Sequence, residues 1–219
     1  MSDRILYGYW RSSAAYRVRI ALNLKGLDYQ QRSVHLLKNG GEQHKEDFAN
    51  LNPNELIPVL VDGEFVLNQS LAIMDYLDEQ YPDILLTPKE LERRYLVKAM
   101  AQDIAIDIHP LNNLRVLQFL SNDIGIDESD KLRWYKHWIE KGFGALEKRL
   151  SLTKGRYCVG DEVSLVDVCL VPQVYNAHRF NIDMSLFPNI NCVTVSLNEL
   201  KAFQQALPEA QPDADVISQ

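Results

Sequence analysis

Apolar and polar positions follow two different rhythms along this chain, and the change falls near residues 82–88. Ahead of that point, short strand-like and helix-like segments alternate. Beyond it almost everything carries the helical spacing of apolar residues. The first run, Ile5 to Tyr9, is rich in β-favouring residues. It is followed by Ser12 and Ser13 and then by a segment to about Lys25. Ala14, Val18, Ala21 and Leu22 fall on one face there, and Gly26 suits a C-terminal cap. Tyr29 to Leu36 reads as a second strand, and the polar stretch Glu42 to Leu51 as a helix. Val59 to Val61 and Phe65 to Leu67 read as a hairpin turned at Asp62-Gly63. Gln69 and Ser70 open a helix to about Gln80, with Ile73, Met74 and Leu77 on its inner face. The order is β-α-β-α-β-β-α. A parallel βαβ pair is then extended by an antiparallel hairpin.

In the second half, Thr87-Pro88-Lys89-Glu90 has the form of a capping box with proline at the first helical position. The helix it predicts runs to about His109, where Pro110 stops or kinks it, and a further stretch reaches about Leu120. Asp127 to Leu150 predicts a long helix. Ser164-Leu165-Val166-Asp167 is a second capping motif before the apolar run Val168 to Val174. A last helix is expected over Asn191 to Ala206, with a loose tail from about 207. The domains expected on this pattern are residues 1–83 and an all-helical 88–219.

The 219 residues suit one or two domains. With 46% hydrophobic and 24% charged residues the chain can bury a core without covalent staples. A net charge of −7 argues against nucleic acid as a partner. Cys158, Cys169 and Cys192 show no CxxC spacing, and the five histidines form no HxxxH pair, so no metal site is readable. Met1 to Trp10 includes Asp3 and Arg4 and no long apolar run, unlike a secretory leader. The longest uncharged stretch, Met184 to Asn198, is shorter than the roughly 20 residues of a membrane span. A reducing cytoplasm is the expected location.

Several motifs, in order and over nearly the whole chain, carry a resemblance. They are Tyr9-Trp10-Arg11-Ser12-Ser13-Ala14 with its continuation to Leu22, Leu51-Asn52-Pro53 leading to Ile57-Pro58, and Asn68-Gln69-Ser70-Leu71-Ala72-Ile73. His109-Pro110-Leu111-Asn112-Asn113-Leu114-Arg115, Tyr157 to Glu162, and Leu170 to Val174 follow. Together they resemble the zeta class of glutathione transferases. The resemblance implies α/β plus all-α architecture: a thioredoxin-like N-terminal domain, an all-helical C-terminal domain, and a homodimer.

It also implies glutathione as cosubstrate. A free thiol with pKa about 8.5 is mostly protonated at neutral pH, so an enzyme using it must stabilise the thiolate. Ser12 and Ser13 stand where a strand turns into a helix. Spacing does not choose between them, and either is equally readable as a plain N-cap; the family match points to Ser12 as the thiol partner. Ala14 stands where the family pattern usually has cysteine, so thiol-assisted side chemistry is not expected of it. By the same resemblance Gln69 and Ser70 take the γ-glutamyl carboxylate, the backbone of Ile57 before a cis Pro58 pairs with the cysteinyl unit, and Gln43 lies near the glycyl end. Arg11 and Arg179 are carried over for substrate carboxylates, and His109, Asn113 and Arg115 as ligand contacts. Read without the resemblance, these are ordinary caps and surface charges.

The implied reaction is cis–trans isomerisation of a β-diketo diacid, with maleylacetoacetate of tyrosine and phenylalanine breakdown as the expected substrate. Maleylpyruvate is the close variant. Conjugation of α-halo acids or other electrophiles, and a non-catalytic glutathione-binding module, are the competing readings.

Overall fold

The computed structural model describes residues 4–214. The described residues pack as two compact units, residues 4–86 with 199–214, and residues 87–198.

In the first unit a four-stranded sheet has the order β2-β1-β3-β4, with β1 Arg4–Gly8, β2 Gln30–Ser33, β3 Val59–Asp62 and β4 Phe65–Asn68. β1 runs parallel to β2 and antiparallel to β3, and β3–β4 is the hairpin. β2 is shorter than the sequence pattern suggests. His35 donates its N–H to Glu42 Oε2 and accepts from the Glu42 N–H, both at 2.8 Å, and this reciprocal pair turns the chain away. Helix α1 (Ser13–Leu24) and α3 (Ser70–Gln80) pack against each other. Gly26, at φ +65°, ends α1 in the left-handed conformation that a side chain resists. The polar helix expected over 42–51 is a 3₁₀ turn, Glu42–His44, followed by α2, Glu46–Leu51. The core holds Leu6, Val18, Ile20, Leu22, Leu60, Ile73 and Leu77, each no more than 1% exposed.

The second unit contains α4 (Leu91–Ala105), α5 (Leu114–Asn122), α6 (Glu128–Thr153), α7 (Leu165–Arg179) and α8 (Pro188–Asn198). α7 is buried along nearly its whole length and packs on α4 and α8. Its first turn is fixed by Asp167, which accepts from the Ser164 N–H and hydroxyl and from the Cys158 N–H. Burial nevertheless pushes the Asp167 carboxyl up, against those hydrogen bonds.

Four expectations need correction. The helix does not begin where the Thr87 motif places it: α4 begins at Leu91, and the Glu90 carboxylate takes the N–H groups of Glu92 and Arg93 at 2.9 and 2.7 Å. The carbonyls of Pro88 and Lys89 accept from Arg94 instead of starting a helix. The last helix is two: α8 ends at Asn198 and α9 spans Lys201–Ala206, packed on α1. The segment after α9 is not loose as far as it is described. Pro208 and Gln211 are buried, and Gln211 donates to the carbonyls of Gln205 and Leu207. Residues 199–214 thus pack with the first unit, although the sequence pattern assigned them to the helical domain. Residues 215–219 of the expected tail lie outside the described residues.

Candidate active site

The sheet register sets the site. Tyr7 pairs with Val59, Val59 with Asn68, and Gly8 with Ser33. One end of the sheet therefore carries, side by side, the exit of β1 into α1, the entry into β3, and the exit of β4 into α3. The bond Ile57–Pro58 just before β3 is cis.

At the first exit Ser12 is the N-cap of α1. Its Oγ accepts from the Ala15 N–H at 3.2 Å, and its own N–H donates to Tyr9 O at 2.9 Å. Accepting uses a lone pair and leaves the hydroxyl proton available to another acceptor. Ser13 is the buried first residue of the helix. Arg11 lays its guanidinium over the Trp10 ring, 4.8 Å from the centroid. The first turn of α1 holds no acidic residue, so the positive end of its dipole is not offset locally.

The exit into α3 is built differently. Gln69 precedes the helix at φ +68°, a sparsely populated conformation for a residue with a side chain, and makes no capping bond. The first-turn N–H groups of α3 are thus left without a cap side chain, and no acidic residue stands among them. Ser70, buried, accepts from Nη1 of Arg17 at 3.3 Å, and Arg17 is itself only 2% exposed. A guanidinium, a hydroxyl and uncapped N–H groups at a helix start suit a carboxylate. Asn52 ties this corner to the loop before Pro58. It donates to Leu56 O at 2.7 Å and accepts from Asn68 Nδ2 at 2.9 Å.

Gln43 lies in the 3₁₀ turn after Gly41. That glycine sits at φ +104°, and a Cβ there would meet the Gln43 amide at 2.5 Å. Gln43 Nε2 is 2.9 Å from His44 Nε2, and His44 Nδ1 pairs with Glu55. Gln43 Oε1 is buried and has no hydrogen-bond partner among the described residues.

The remaining candidates belong to the second unit. His109 opens a 3₁₀ turn, His109–Asn112, and Asn113 caps α5 by accepting from the Arg115 N–H at 3.2 Å. Arg115 is exposed. Arg179 ends α7, exposed, with its guanidinium 5.0 Å from the Phe180 ring centroid. Tyr135 of α6 links the two stretches: Asn112 Nδ2 donates to Tyr135 O at 3.1 Å, and the Tyr135 ring stacks on Phe180. Burial raises the Tyr135 phenol, with the Arg179 charge working the other way.

Comparison with known proteins identifies the family. The model of the glutathione S-transferase N-terminal domain matches residues 6–88, and that of the C-terminal domain matches 116–208. A probable maleylacetoacetate isomerase of Vibrio cholerae is 62% identical over 98% of this chain and 100% of its own length. A solved holo maleylpyruvate isomerase, described as a bacterial zeta-class glutathione S-transferase, superposes with a TM-score of 0.93 at 45% identity, over 96% of this chain and 100% of its own. The chain belongs to the zeta class of glutathione transferases. A second solved member, maleylacetoacetate isomerase of Methylobacterium extorquens AM1 with bound malonate and glutathione, has a TM-score of 0.92 at 40% identity, covering 96% of this chain and 99% of that one.

In this transferase Arg11, Ser12, Ser13, Ala14, Ile57, Gln69 and Ser70 are brought to one end of the sheet, and Gln43 follows the loop that leaves β2 there. His109, Asn113, Arg115 and Arg179 form a separate set in the second unit. Sequence reasoning missed Arg17 and Arg19. Both lie on α1, and both are buried. His44 is exposed, but it bridges Gln43 and Glu55. Asn52 and Asn68 were quoted only as parts of motifs. Their hydrogen bond joins residues 16 apart in sequence, which no local pattern reveals.

Proposed function

We propose that this protein is a glutathione-dependent cis–trans isomerase that converts maleylacetoacetate to fumarylacetoacetate in tyrosine and phenylalanine breakdown. The observation that carries the reading is the start of α1. The Ser12 lone pair is committed to the helix while its proton remains available, at the start of a helix whose first turn holds no acidic residue. The hydroxyl donates a hydrogen bond to the sulfur of bound glutathione, and this lowers the pKa of its thiol. The α3 start, with Ser70 beside Arg17, receives the γ-glutamyl carboxylate, the Ile57 backbone pairs with the cysteinyl unit, and Gln43 contacts the glycyl end.

The chemistry then needs no redox change. The thiolate forms a C–S bond to one carbon of the cis double bond, and the π electrons move onto the conjugated carbonyl as an enolate. The former double bond is single and rotates. The enolate collapses, the double bond reforms trans, and the thiolate leaves unchanged. Donors and cations beside the developing enolate lower the barrier. Arg11 and Arg179 serve the substrate carboxylates, since a guanidinium binds them in two-pronged fashion. Ala14 offers no thiol, and none is required, because the attacking sulfur belongs to glutathione.

Two copies of the chain form the working enzyme. The exposed apolar residues Phe65 and Val66 on β4, and Leu91, Tyr95 and Leu96 on α4, support this. Among the described residues no helix is long and apolar enough to cross a membrane. The cytoplasm is the proposed site of action.

A spectrophotometric assay with maleylacetone and catalytic glutathione tests the reading. Turnover without net consumption of glutathione is the expected result. Stable conjugation of chloroacetate without isomerisation would make the protein a conjugating transferase instead. Maleylpyruvate is the second substrate to assay, because a maleylpyruvate isomerase is among the solved structures most similar to this chain.

A further inference from the structure

The peptide groups of the β1–α1 turn are gripped from two directions by residues distant in sequence. From below, the guanidinium of Arg19, 1% exposed, donates to the carbonyls of Tyr9 at 3.4 Å, Trp10 at 3.0 Å and Ala206 at 3.1 Å. Burial pulls the Arg19 pKa down to about 10, against the opposing pull of Tyr29, Tyr16 and Asp213, so it stays charged at neutral pH. From the other side, Asp213 Oδ2 accepts the Trp10 N–H at 3.0 Å and the Ser33 hydroxyl at 2.8 Å, while Oδ1 accepts from Gln31 Nε2 at 2.8 Å. Ser33 is the register partner of Gly8, so this one carboxylate ties the end of β2 to the turn that leaves β1. The segment that delivers Asp213 is itself anchored by α9 on α1 and by the Gln211 side chain.

Ser12 is coupled to this grip in a single step, because its N–H donates to the same Tyr9 carbonyl that Arg19 holds. A shift of residues 9–10 is therefore a shift of the Ser12 hydroxyl. A displacement of about 1 Å at a reacting group can cost on the order of 100-fold in rate.

We infer that Asp213 is a positioning residue: through the Trp10 amide it sets where the Ser12 hydroxyl meets the glutathione sulfur. The inference rests on the role proposed for Ser12. It makes the C-terminal segment part of the machinery of the first helix start rather than a mere trailing end. Asp213 acts by geometry, as an acceptor in the right place. An asparagine can still accept from Trp10 and Ser33, with the Gln31 amide turned over to meet its nitrogen.

The test uses the full-length protein with Asp213→Ala, Asp213→Asn and Ser12→Ala, each assayed for kcat and KM across pH, with hydrogen exchange at the Trp10 amide. Asp213→Ala is expected to lower kcat/KM by about 10- to 100-fold. The acid limb of its kcat profile, which reports the bound thiol, should move up by about one pH unit. Its Trp10 amide should exchange faster, at an unchanged pattern of protection in the second unit. Asp213→Asn is expected to recover most of the activity and the wild-type acid limb. Wild-type kinetics and acid limb in Asp213→Ala, or an asparagine variant as impaired as the alanine one, overturn the positioning role. If Ser12→Ala itself keeps full activity, the Ser12 reading falls instead. That failure is distinct, because it needs no change at Asp213 to be seen.

Discussion

Two helices of the first unit begin at the same end of one sheet, and they begin in opposite ways. α1 is closed by its own N-cap: Ser12 satisfies the Ala15 N–H and sits in ordinary extended backbone. α3 is left open: Gln69 holds a strained positive φ, makes no capping bond, and the following serine turns to Arg17. A helix start that completes itself keeps one proton to offer a ligand. A start left incomplete offers N–H groups that only a ligand or water can satisfy. The first suits stabilising a charge that appears during reaction. The second suits holding a charge that is always there. The glutathione thiolate and the γ-glutamyl carboxylate are two such charges on one molecule.

The largest effect that separates the two starts is expected at Ser12. Ser12→Ala should lower kcat/KM by about 100- to 1,000-fold, the scale of losing one donor to a developing anion. It should also destabilise the fold by about 1 kcal/mol through the lost cap. Ser12→Asp restores the cap but brings no proton, so denaturant melts should recover while activity does not. Recovery of both would mean that Ser12 only caps. At the other start Ser70→Ala should act on binding. KM for glutathione is expected to rise roughly tenfold, the worth of a charge-assisted hydrogen bond, with kcat little changed. A fall in kcat with KM unmoved would erase the distinction between the starts.

The two starts also differ in how far the sequence revealed them. Ser12 was visible as a cap because capping is local: acceptor and donor are three residues apart. The strands, the hairpin and the order of elements were visible for the same reason. The Ser70–Arg17 contact spans 53 residues, and the Trp10–Asp213 contact spans 203, so neither leaves a local pattern. Arg17 and Arg19 were missed because charge on a helix normally marks the wet face, whereas these two are buried, Arg17 against Ser70 and Arg19 against the carbonyls of Tyr9, Trp10 and Ala206. Thr87 misled in the converse way. Its motif was locally complete, but Glu90 took the same helix three residues later. The start of α8 depends on Glu147, whose carboxylate takes the N–H groups of Asn189 and Ile190 at 2.7 and 3.0 Å from another helix.

A smaller effect is expected at Gln69, where strain and binding pull apart. A residue held at sparsely populated dihedrals costs about 1–3 kcal/mol, and glycine loses about 0.5–1 kcal/mol in extra chain entropy. Gln69→Gly should therefore raise stability by about 1 kcal/mol in a urea titration while weakening glutathione binding through loss of the carboxamide. Stability gained at the cost of binding would mark the α3 start as shaped for its ligand. At the self-satisfied α1 start, alanine at Ser12 should gain nothing.

The smallest effect asks which pattern the Gln43 loop follows. Glu42 accepts the His35 N–H and pairs with Lys45, so this loop, like α1, satisfies its own backbone. Those contacts, the His35 N–H first, hold the Glu42 carboxyl below its ordinary value. A carboxyl that is more acidic in the folded state stabilises the fold above the unfolded pKa and loses that contribution as pH falls through its folded value. Glu42→Gln should thus cost stability at neutral pH, by less than about 1 kcal/mol because the pair is partly exposed to solvent. The difference from wild type should fade once the pH drops below the usual carboxylate range. Urea midpoints of the two proteins across pH measure it. A gap that persists unchanged into acid would show that the charge contributes nothing and that the hydrogen bond to His35 alone, which glutamine can also accept, is not what distinguishes them.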